Sequence, residues 1–129
     1  MARRAMPRPT DAELAILRVL WESGPSTVRA VCESLNRRRP TGYTTVLKLM
    51  QIMLDKGLLA RDEQHQSHVY RTAKDERQTQ KLLLRDLLER AFGGSTRKLI
   101  LGALSAKRAS AEDLAAVRSL LDQLEGDAK

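Results

Sequence analysis

Apolar residues recur three and four positions apart in the first part of the chain, which is the spacing of one face of an α-helix. Thr10 and Glu13 fit a capping box at the start of a first helix, and Gly24 ends it. A second helix starts at residues 26–27, where serine and threonine are both suitable N-caps. It ends before Pro40, because proline disfavours helical geometry in the residue that precedes it.

A third helix is predicted from about Thr41 to Lys56, with Gly57 in the usual place for a C-terminal stop. At 100° per residue its apolar side chains gather on one side. They are Val46, Leu49, Met50 and Met53. The opposite side is polar and consists of Thr44, Lys48, Gln51 and Asp55. The pattern therefore predicts a helix with one buried face and one polar face.

Two short strands are predicted next, over residues 58–62 and 67–72, around a polar loop at 63–66. Helical spacing returns from about Asp75 and is interrupted by a glycine pair at 93–94. Ser95 and Ser110 fit the N-caps of two further helices, and Gly126 is expected to end the last one.

The order of three helices, a hairpin and three more helices predicts a mainly α protein with a small β-hairpin wing. Residues 1–73 fit a winged helix-turn-helix, in which the third helix would enter the major groove. Residues 74–129 fit a helical dimerisation region, because its short helices cannot easily bury their apolar faces alone. The predicted dimer core consists of Leu84, Leu87, Leu88, Leu99, Leu104, Val117 and Leu121.

Charge favours an anionic partner for the first part of the chain. The net charge is +7, and residues 1–72 carry 12 Lys and Arg against 7 Asp and Glu, an excess of +5. Residues 1–9 are expected to form a loose basic arm, since they lack the apolar stretch of a secretion signal. Cys32 is the single cysteine, so no intramolecular disulfide can form, and a cytoplasmic setting without membrane insertion is expected.

The polar face of the third helix is the candidate DNA-reading surface, although such a face is often simply solvated. Short hydroxyl side chains permit close approach to bases, and long polar side chains can reach base edges. The predicted groove contacts are Tyr43, Thr44, Thr45, Lys48 and Gln51. The predicted phosphate contacts are Arg37, Arg38, Arg39, Thr41, Arg61 and Arg71. The predicted wing tip comprises His65, Gln66 and His68.

Catalytic and metal sites are not indicated. His65 and His68 are spaced closely, but a metal site normally needs three or four ligands. No glycine-rich phosphate loop, nucleophile motif or carboxylate dyad is present, and the acidic pairs lie at a loop edge and at a helix start. We therefore expect no enzyme activity and no cofactor.

The chain resembles the BlaI/MecI/CopY repressors, which are small bacterial winged-helix proteins. The resemblance rests on DAELAILRVLWESGPSTVRAVCESLN, YTTVLKLMQIMLDKGLL and SHVYR, and it covers residues 10–72 closely. It continues more loosely to about residue 125 through FGGSTRKLILGAL and SAEDLAAVRSLLDQL. It implies a homodimer that binds a palindromic double-stranded operator and blocks transcription.

In the β-lactam-responsive members of this family, a membrane metallopeptidase receptor signals the antibiotic, and the repressor is cut within its dimerisation region. The resemblance implies the same signal for this chain. Gly102 and Ala103 occupy the position of the cut bond, where the best-known members have Asn-Phe. Ile52 stands where the family commonly has a basic residue, and the wing loop is less basic than expected. The cysteine cluster of the copper-responsive branch is missing.

Two alternatives stay open at this stage. A winged helix can bind a protein instead of DNA, although the positive charge of residues 1–72 argues against that role here. A DNA-binding protein of this kind can also be switched by a small ligand in the dimer interface, although no pattern in the sequence marks such a pocket.

Overall fold

The computed structural model describes residues 8–63 and 68–128, and the chain divides into two compact units between Leu83 and Leu84. The elements of the first unit are α1 (Asp11–Ser23), α2 (Val28–Asn36), α3 (Tyr43–Lys56), β1 (Leu59–Asp62) and β2 (Val69–Thr72). They are followed by α4 (Glu76–Phe92), α5 (Thr96–Ala106) and α6 (Ala111–Asp127). Helix α4 crosses the division, which lies further along the chain than the boundary predicted at residue 73.

The starts of the first two helices follow local side-chain chemistry. Thr10 accepts a hydrogen bond from the Glu13 amide, and the Glu13 carboxylate accepts one from the Thr10 amide, which confirms the predicted capping box. For α2 the capping residue is Thr27, which accepts from the Ala30 amide. Ser26 instead donates its hydroxyl to the carbonyl of Gly24. Of the two capping residues considered from the sequence, only Thr27 caps the helix.

Helix α3 begins later than its pattern predicted, at Tyr43 and not near Thr41. Its N-cap is Gly42, which offers no side-chain hydrogen bond. Its end is as predicted: Gly57 adopts a left-handed conformation with φ of 83°, which a residue without Cβ enters at little cost. The chain then turns directly into the hairpin.

The hairpin is antiparallel, with Leu59 opposite Thr72 and Asp62 opposite Val69. Both strands are shorter than predicted, and residues 64–67 of the predicted loop and second strand lie outside the described residues. Ser26 and Tyr70 exchange two backbone hydrogen bonds of 2.9 and 2.8 Å, so β2 is tied to the segment between α1 and α2. Tyr70 is buried, which places this junction in the core.

One apolar core closes the first unit. It draws on α1, α2, α3 and the hairpin, so that each element buries one side against the others. The core residues are Ile16, Leu17, Val19, Leu20, Val28, Val31, Cys32, Val46, Met50, Met53, Leu58, Leu59 and Tyr70. Leu49, which the pattern assigned to the buried side of α3, is only partly buried.

The second unit consists of the C-terminal part of α4 with α5 and α6. Ser95 and Ser110 cap the last two helices as predicted, accepting from the amides of Lys98 and Asp113. Neither α5 nor α6 contains a buried residue. Gly126 does not end α6, which continues to Asp127. Among the described residues, no helix is long and apolar enough to cross a membrane.

Candidate nucleic-acid interface

All the α3 side chains predicted to contact the groove are exposed. Burial of Val46, Met50 and Met53 fixes the rotation of the helix about its own axis. The exposed residues that result are Tyr43, Thr44, Thr45, Lys48 and Gln51. Tyr43 retains 49% of its accessible surface. Two hydroxyls, a phenol, an ammonium and an amide thus lie along one helix, ready to bond with base edges or phosphates.

Ile52 interrupts the polar character beside this face. Its side chain is 39% exposed, although it is apolar and sits on the helix proposed to read bases. It offers only van der Waals contact, as an apolar side chain can to the methyl group of thymine. The basic contact that the resemblance would suggest at this position is absent from the chain.

The start of α3 is chemically different from the starts of α1, α2, α5 and α6. Those four helices have a serine or threonine N-cap that accepts a backbone hydrogen bond, whereas α3 has glycine. The amides of the first turn of α3 therefore donate no hydrogen bond to a capping side chain. Uncapped amides and the helix dipole together give this end a partial positive charge.

The turn between α2 and α3 carries the predicted phosphate contacts Arg37, Arg38 and Arg39, and all three are exposed. Thr41 is half-buried, and its hydroxyl donates to the carbonyl of Arg39 at 3.1 Å. The turn is also held by the side chain of Asn36, a residue that the sequence argument did not select. An asparagine at the end of a helix before a tight turn is the signal that could have indicated it.

The hairpin presents its two predicted phosphate contacts differently. Arg71 is exposed, whereas Arg61 is half-buried and donates to the Glu63 carboxylate through Nε at 2.9 Å and through a terminal nitrogen at 2.5 Å. Hydrogen bonds to Tyr70 and Glu63 raise the pKa of Arg61. The hydrogen bond and the charge of Arg61 lower the pKa of Glu63. A phosphate group would therefore have to compete with the Glu63 carboxylate for the Arg61 guanidinium group.

The predicted wing tip is described only at one end. His68 is exposed and directly precedes β2. His65 and Gln66 lie outside the described residues. Across residues 8–63 and 68–128, no group of three His, Cys, Asp or Glu side chains is arranged to hold a metal ion.

A partly buried ion pair anchors the far end of α3. Lys56 donates from Nζ to both carboxylate oxygens of Glu13, each at 2.9 Å, and Glu13 is only 2% exposed. Burial alone would raise the pKa of Glu13. The hydrogen bonds from the Thr10 amide and from Lys56, with the charge of Lys56, outweigh it and leave the pKa of Glu13 below its ordinary value. Glu13, which belongs to the capping box of α1, thus also ties α1 to α3.

A groove of about 570 Å³ lies beside the turn, between α1, the end of α2 and the first half of α3. Its lining includes apolar side chains such as Val19 and Leu35 together with Arg18, Arg38 and Arg39. Thr45, one of the predicted groove contacts, also lines it. The groove therefore shares residues with the candidate DNA-binding surface.

The residues predicted to form the dimer core leave large parts of their surface uncovered in the single chain. Leu84, Leu87, Leu104 and Leu121 are exposed, whereas Leu88, Leu99 and Val117 are half-buried. The candidate cleavage position, Gly102 and Ala103, lies inside α5. A Cβ placed on Gly102 would lie 3.6 Å from a ring carbon of Phe92, so this position packs closely against α4.

A family model described as penicillinase repressor matches residues 9–123. The chain belongs to the penicillinase repressor family. This membership confirms the family resemblance, and it makes the protein a DNA-binding transcriptional regulator of a repressor family, not an enzyme. It also decides against the interpretation of the winged helix as a module that binds protein instead of DNA.

Two relatives illustrate the extent of the similarity. The transcriptional regulator BlaI of Mycobacterium tuberculosis is 31% identical over 121 residues, covering 93% of this chain and 87% of that protein. The penicillinase repressor of Bacillus licheniformis is 21% identical over 120 residues, covering 93% of this chain and 94% of that protein. In both relatives the alignment includes the C-terminal helices as well as the winged helix.

Solved structures support the winged-helix fold. The solution structure of the DNA-binding domain of the repressor BlaI is 23% identical, with a TM-score of 0.50, and covers 57% of this chain and 90% of that domain. A MarR family protein from Bacillus stearothermophilus is 20% identical, with a TM-score of 0.51, and covers 92% of this chain and 74% of that one. At these identities the likeness concerns the fold alone.

Proposed function

We propose that this penicillinase repressor family member is a homodimer that occupies a palindromic operator in the cytoplasm and is released on a signal. The observation that carries the proposal is the exposed polar face of α3, held outward by three fully buried apolar residues of the same helix. A rigid helix with small hydroxyl side chains at its start suits close approach to the major groove.

Base contacts are proposed for the outward face of α3, and phosphate contacts for the turn before it. Thr44 and Thr45 can bond to bases and offer methyl groups to thymine, while Lys48 and Gln51 reach further. The turn that carries Arg37 to Arg39 stands beside the uncapped start of α3, where positive charge accumulates. Arg71 is proposed to contact the DNA backbone beside the hairpin. Arg61 is proposed to do the same once it has left the Glu63 carboxylate.

Dimerisation is proposed through the exposed apolar faces of α4, α5 and α6. The single chain leaves about half of Leu84 and Leu121 accessible, and twofold packing would cover such faces with identical ones. A dimer places two recognition helices on the two halves of a palindrome. Linking two weak half-site contacts in this way raises affinity by about 100-fold or more.

Release by a membrane metallopeptidase remains the proposed signal for a β-lactam-type response. The candidate bond between Gly102 and Ala103 lies within a helix, so a peptidase would require local unfolding of α5 before cleavage. Cutting there would separate α6 from the rest of the dimerisation region. Loss of the dimer would then release the operator, because each half-site alone binds weakly.

The experiment that tests the proposed interface is Lys48→Ala, assayed on DNA from upstream of the protein's own gene and on an unrelated fragment. If Lys48 contacts a base, specific affinity should fall by about 1–3 kcal/mol while non-specific affinity changes little. If it contacts only phosphate, both should fall together and the salt slope should decrease by about one.

Lys107→Ala is the matched control, since it also replaces an exposed lysine by alanine, but in the segment between α5 and α6. Its binding should equal that of the wild type. Unchanged binding of Lys48→Ala to both fragments would remove Lys48 from the interface. A wild-type chain that showed no preference for the upstream fragment would contradict the proposed operator.

A small-ligand switch is the second candidate, because the groove beside the turn shares Arg38, Arg39 and Thr45 with the DNA-binding surface. A ligand seated there would compete with DNA. Its volume of about 570 Å³ lies within the range of small-molecule sites. Aromatic carboxylates suit a groove lined by apolar side chains and arginines, so they should raise the unfolding temperature and weaken DNA binding. Ala15→Leu, which fills the groove, should abolish both effects. An unfolding temperature that no aromatic carboxylate changes would leave proteolysis as the favoured signal.

A further inference from the structure

The side chain of Asn36 joins the two ends of the arginine-bearing turn. Its amide nitrogen donates to the Cys32 carbonyl and to the Thr41 carbonyl, both at 2.8 Å. Its amide oxygen accepts from the Thr41 backbone amide at 2.9 Å. One side chain therefore satisfies both backbone groups of Thr41 and anchors them to the last turn of α2.

The segment closed by these bonds contains only residues 37–40, Arg-Arg-Arg-Pro. The amides of Arg38 and Arg39 both donate to the Leu35 carbonyl, at 3.1 and 3.2 Å, so the turn continues tightly from α2. The Thr41 hydroxyl holds the carbonyl of Arg39. Every one of the three arginines thus lies on a backbone whose entry and exit Asn36 fixes.

Without this side chain, the described contacts between the end of α2 and Thr41 would be much weaker. Cys32 Sγ lies 3.5 Å from the Thr41 carbonyl, and a thiol is a poor donor. Thr41 precedes Gly42, the N-cap of α3, so the same bonds also set where the recognition helix begins. Ordering the turn in advance reduces the conformational entropy lost when arginines settle on phosphates.

We infer that Asn36 is a positioning residue for DNA binding, which holds Arg37, Arg38 and Arg39 in place beside the start of α3. This inference rests on the proposed function of that turn in holding phosphates. Asn36 is not required to touch DNA itself. It acts through the arginines, so its contribution to affinity depends on their presence.

The test is a double-mutant cycle between Asn36→Ala and the triple variant R37A/R38A/R39A, with affinity measured on the upstream DNA fragment at several salt concentrations. With the arginines present, Asn36→Ala should weaken binding by about tenfold and lower the salt slope. In the triple variant, the same substitution should change affinity by less than about twofold, because residues that act through one another are not additive.

Gln123→Ala is the control, because it removes an exposed amide from α6 in the other unit, and it should change neither quantity. Affinity is compared at a temperature where circular dichroism shows each variant folded. Amide exchange should show Thr41 losing protection in Asn36→Ala while Met50 keeps it. If Asn36→Ala does not fold, Asn36→Gln, which keeps the amide but displaces it by one methylene, takes its place.

Equal losses with and without the arginines would overturn the inference, since Asn36 would then act through stability or through α3 alone. An unchanged affinity of Asn36→Ala would also overturn it. Failure of the wild type to prefer the upstream fragment, or an unaltered affinity of the triple variant, would instead overturn the proposed function of the turn. The two failures are therefore distinguishable.

Discussion

The two units of the chain are built from similar residue types but bury them very differently. In the first unit, Ile16, Val46 and Met50 are fully buried, and helices and hairpin close one core. In the second, α5 and α6 contain no buried residue, and Leu101 keeps 55% of its surface exposed. Helical periodicity identifies an apolar face in both units, but it does not say what covers that face.

The two units differ in whether their apolar faces are covered within one chain. The first unit closes because three helices pack around one apolar core, to which the hairpin adds Leu59 and Tyr70. Tyr70 also ties β2 to the loop after α1. A closed core holds α3, the helix proposed to read DNA, without help from another chain. An open apolar face, by contrast, is stabilised when a second surface covers it, which suits the proposed dimerisation region.

The largest expected effect is the loss of stability when a leucine of the closed core is truncated to alanine, compared with the same truncation on the open face. Leu17→Ala in the closed core should reduce the free energy of unfolding by about 2–5 kcal/mol, independent of protein concentration. Leu101→Ala, on the open face, should cost less than about 0.5 kcal/mol in dilute protein. Urea unfolding of both variants at several concentrations measures the comparison, and equal costs at low concentration would contradict it.

The next effect concerns the open face directly. Leu121→Asp should prevent two chains from packing and should lower operator affinity by about 100-fold, since bivalent binding is lost. Sedimentation and DNA titration measure the two consequences. Ser119→Asp, a substitution on the opposite side of α6, is the control and should leave a dimer with wild-type affinity. A monomeric Leu121→Asp that still binds tightly would show that the dimer is not needed for binding.

A smaller effect concerns the ion pair inside the closed unit. Glu13→Gln should cost about 1–3 kcal/mol at pH 7, because it removes a buried partner of Lys56. The folded pKa of Glu13 is lowered from the ordinary glutamate value, which is about 4.5 in the unfolded chain. This stabilisation is therefore fully present above pH 4.5 and is lost as the pH falls through the folded pKa.

Unfolding measured from pH 7 to pH 2 should show the stability difference between wild type and Glu13→Gln shrinking below pH 4.5. Glu22→Gln, an exposed carboxylate on the same helix, should show no comparable difference at either pH. A difference that stayed constant with pH would mean that the ion pair does not supply the stabilisation.

The smallest effect is expected at the hairpin, where Glu63 holds Arg61. Glu63→Gln should raise DNA affinity by less than about tenfold, because it frees the guanidinium for phosphate. In an Arg61→Ala background the gain should disappear. A gain that persisted without Arg61 would reflect only the loss of a negative charge, and Arg61 would then leave the set of proposed phosphate contacts.

The elements of the fold could be predicted largely from local signals. Thr10, Ser95 and Ser110 act as caps because the bonds they make reach only three residues along the chain. The buried face of α3 followed from its spacing. The start of α3 could not be predicted in the same way, since Thr41 is taken up by bonds to Asn36 and leaves Gly42 as the N-cap.

The sequence predicted which residue types form the candidate site, but not the neighbouring side chains that hold them in position. The sequence indicated the polar face of α3 and the arginines before it, and those α3 side chains are exposed in the structure. Their contact with DNA stays a prediction. The sequence could not indicate that Glu63 occupies Arg61, or that Asn36 closes the turn. Those contacts depend on where several backbone and side-chain atoms meet, which periodicity does not encode.

By itself, the sequence determined the helices, the hairpin, the positive charge of the first part and the family resemblance, because caps, spacing and composition act locally or additively. Tertiary structure alone decided which apolar faces close within one chain and which stay open. It also brought Glu13 to Lys56, a partner 43 residues away, and Tyr70 to Ser26. Such contacts depend on how the elements pack in three dimensions, which the order of residues does not show directly.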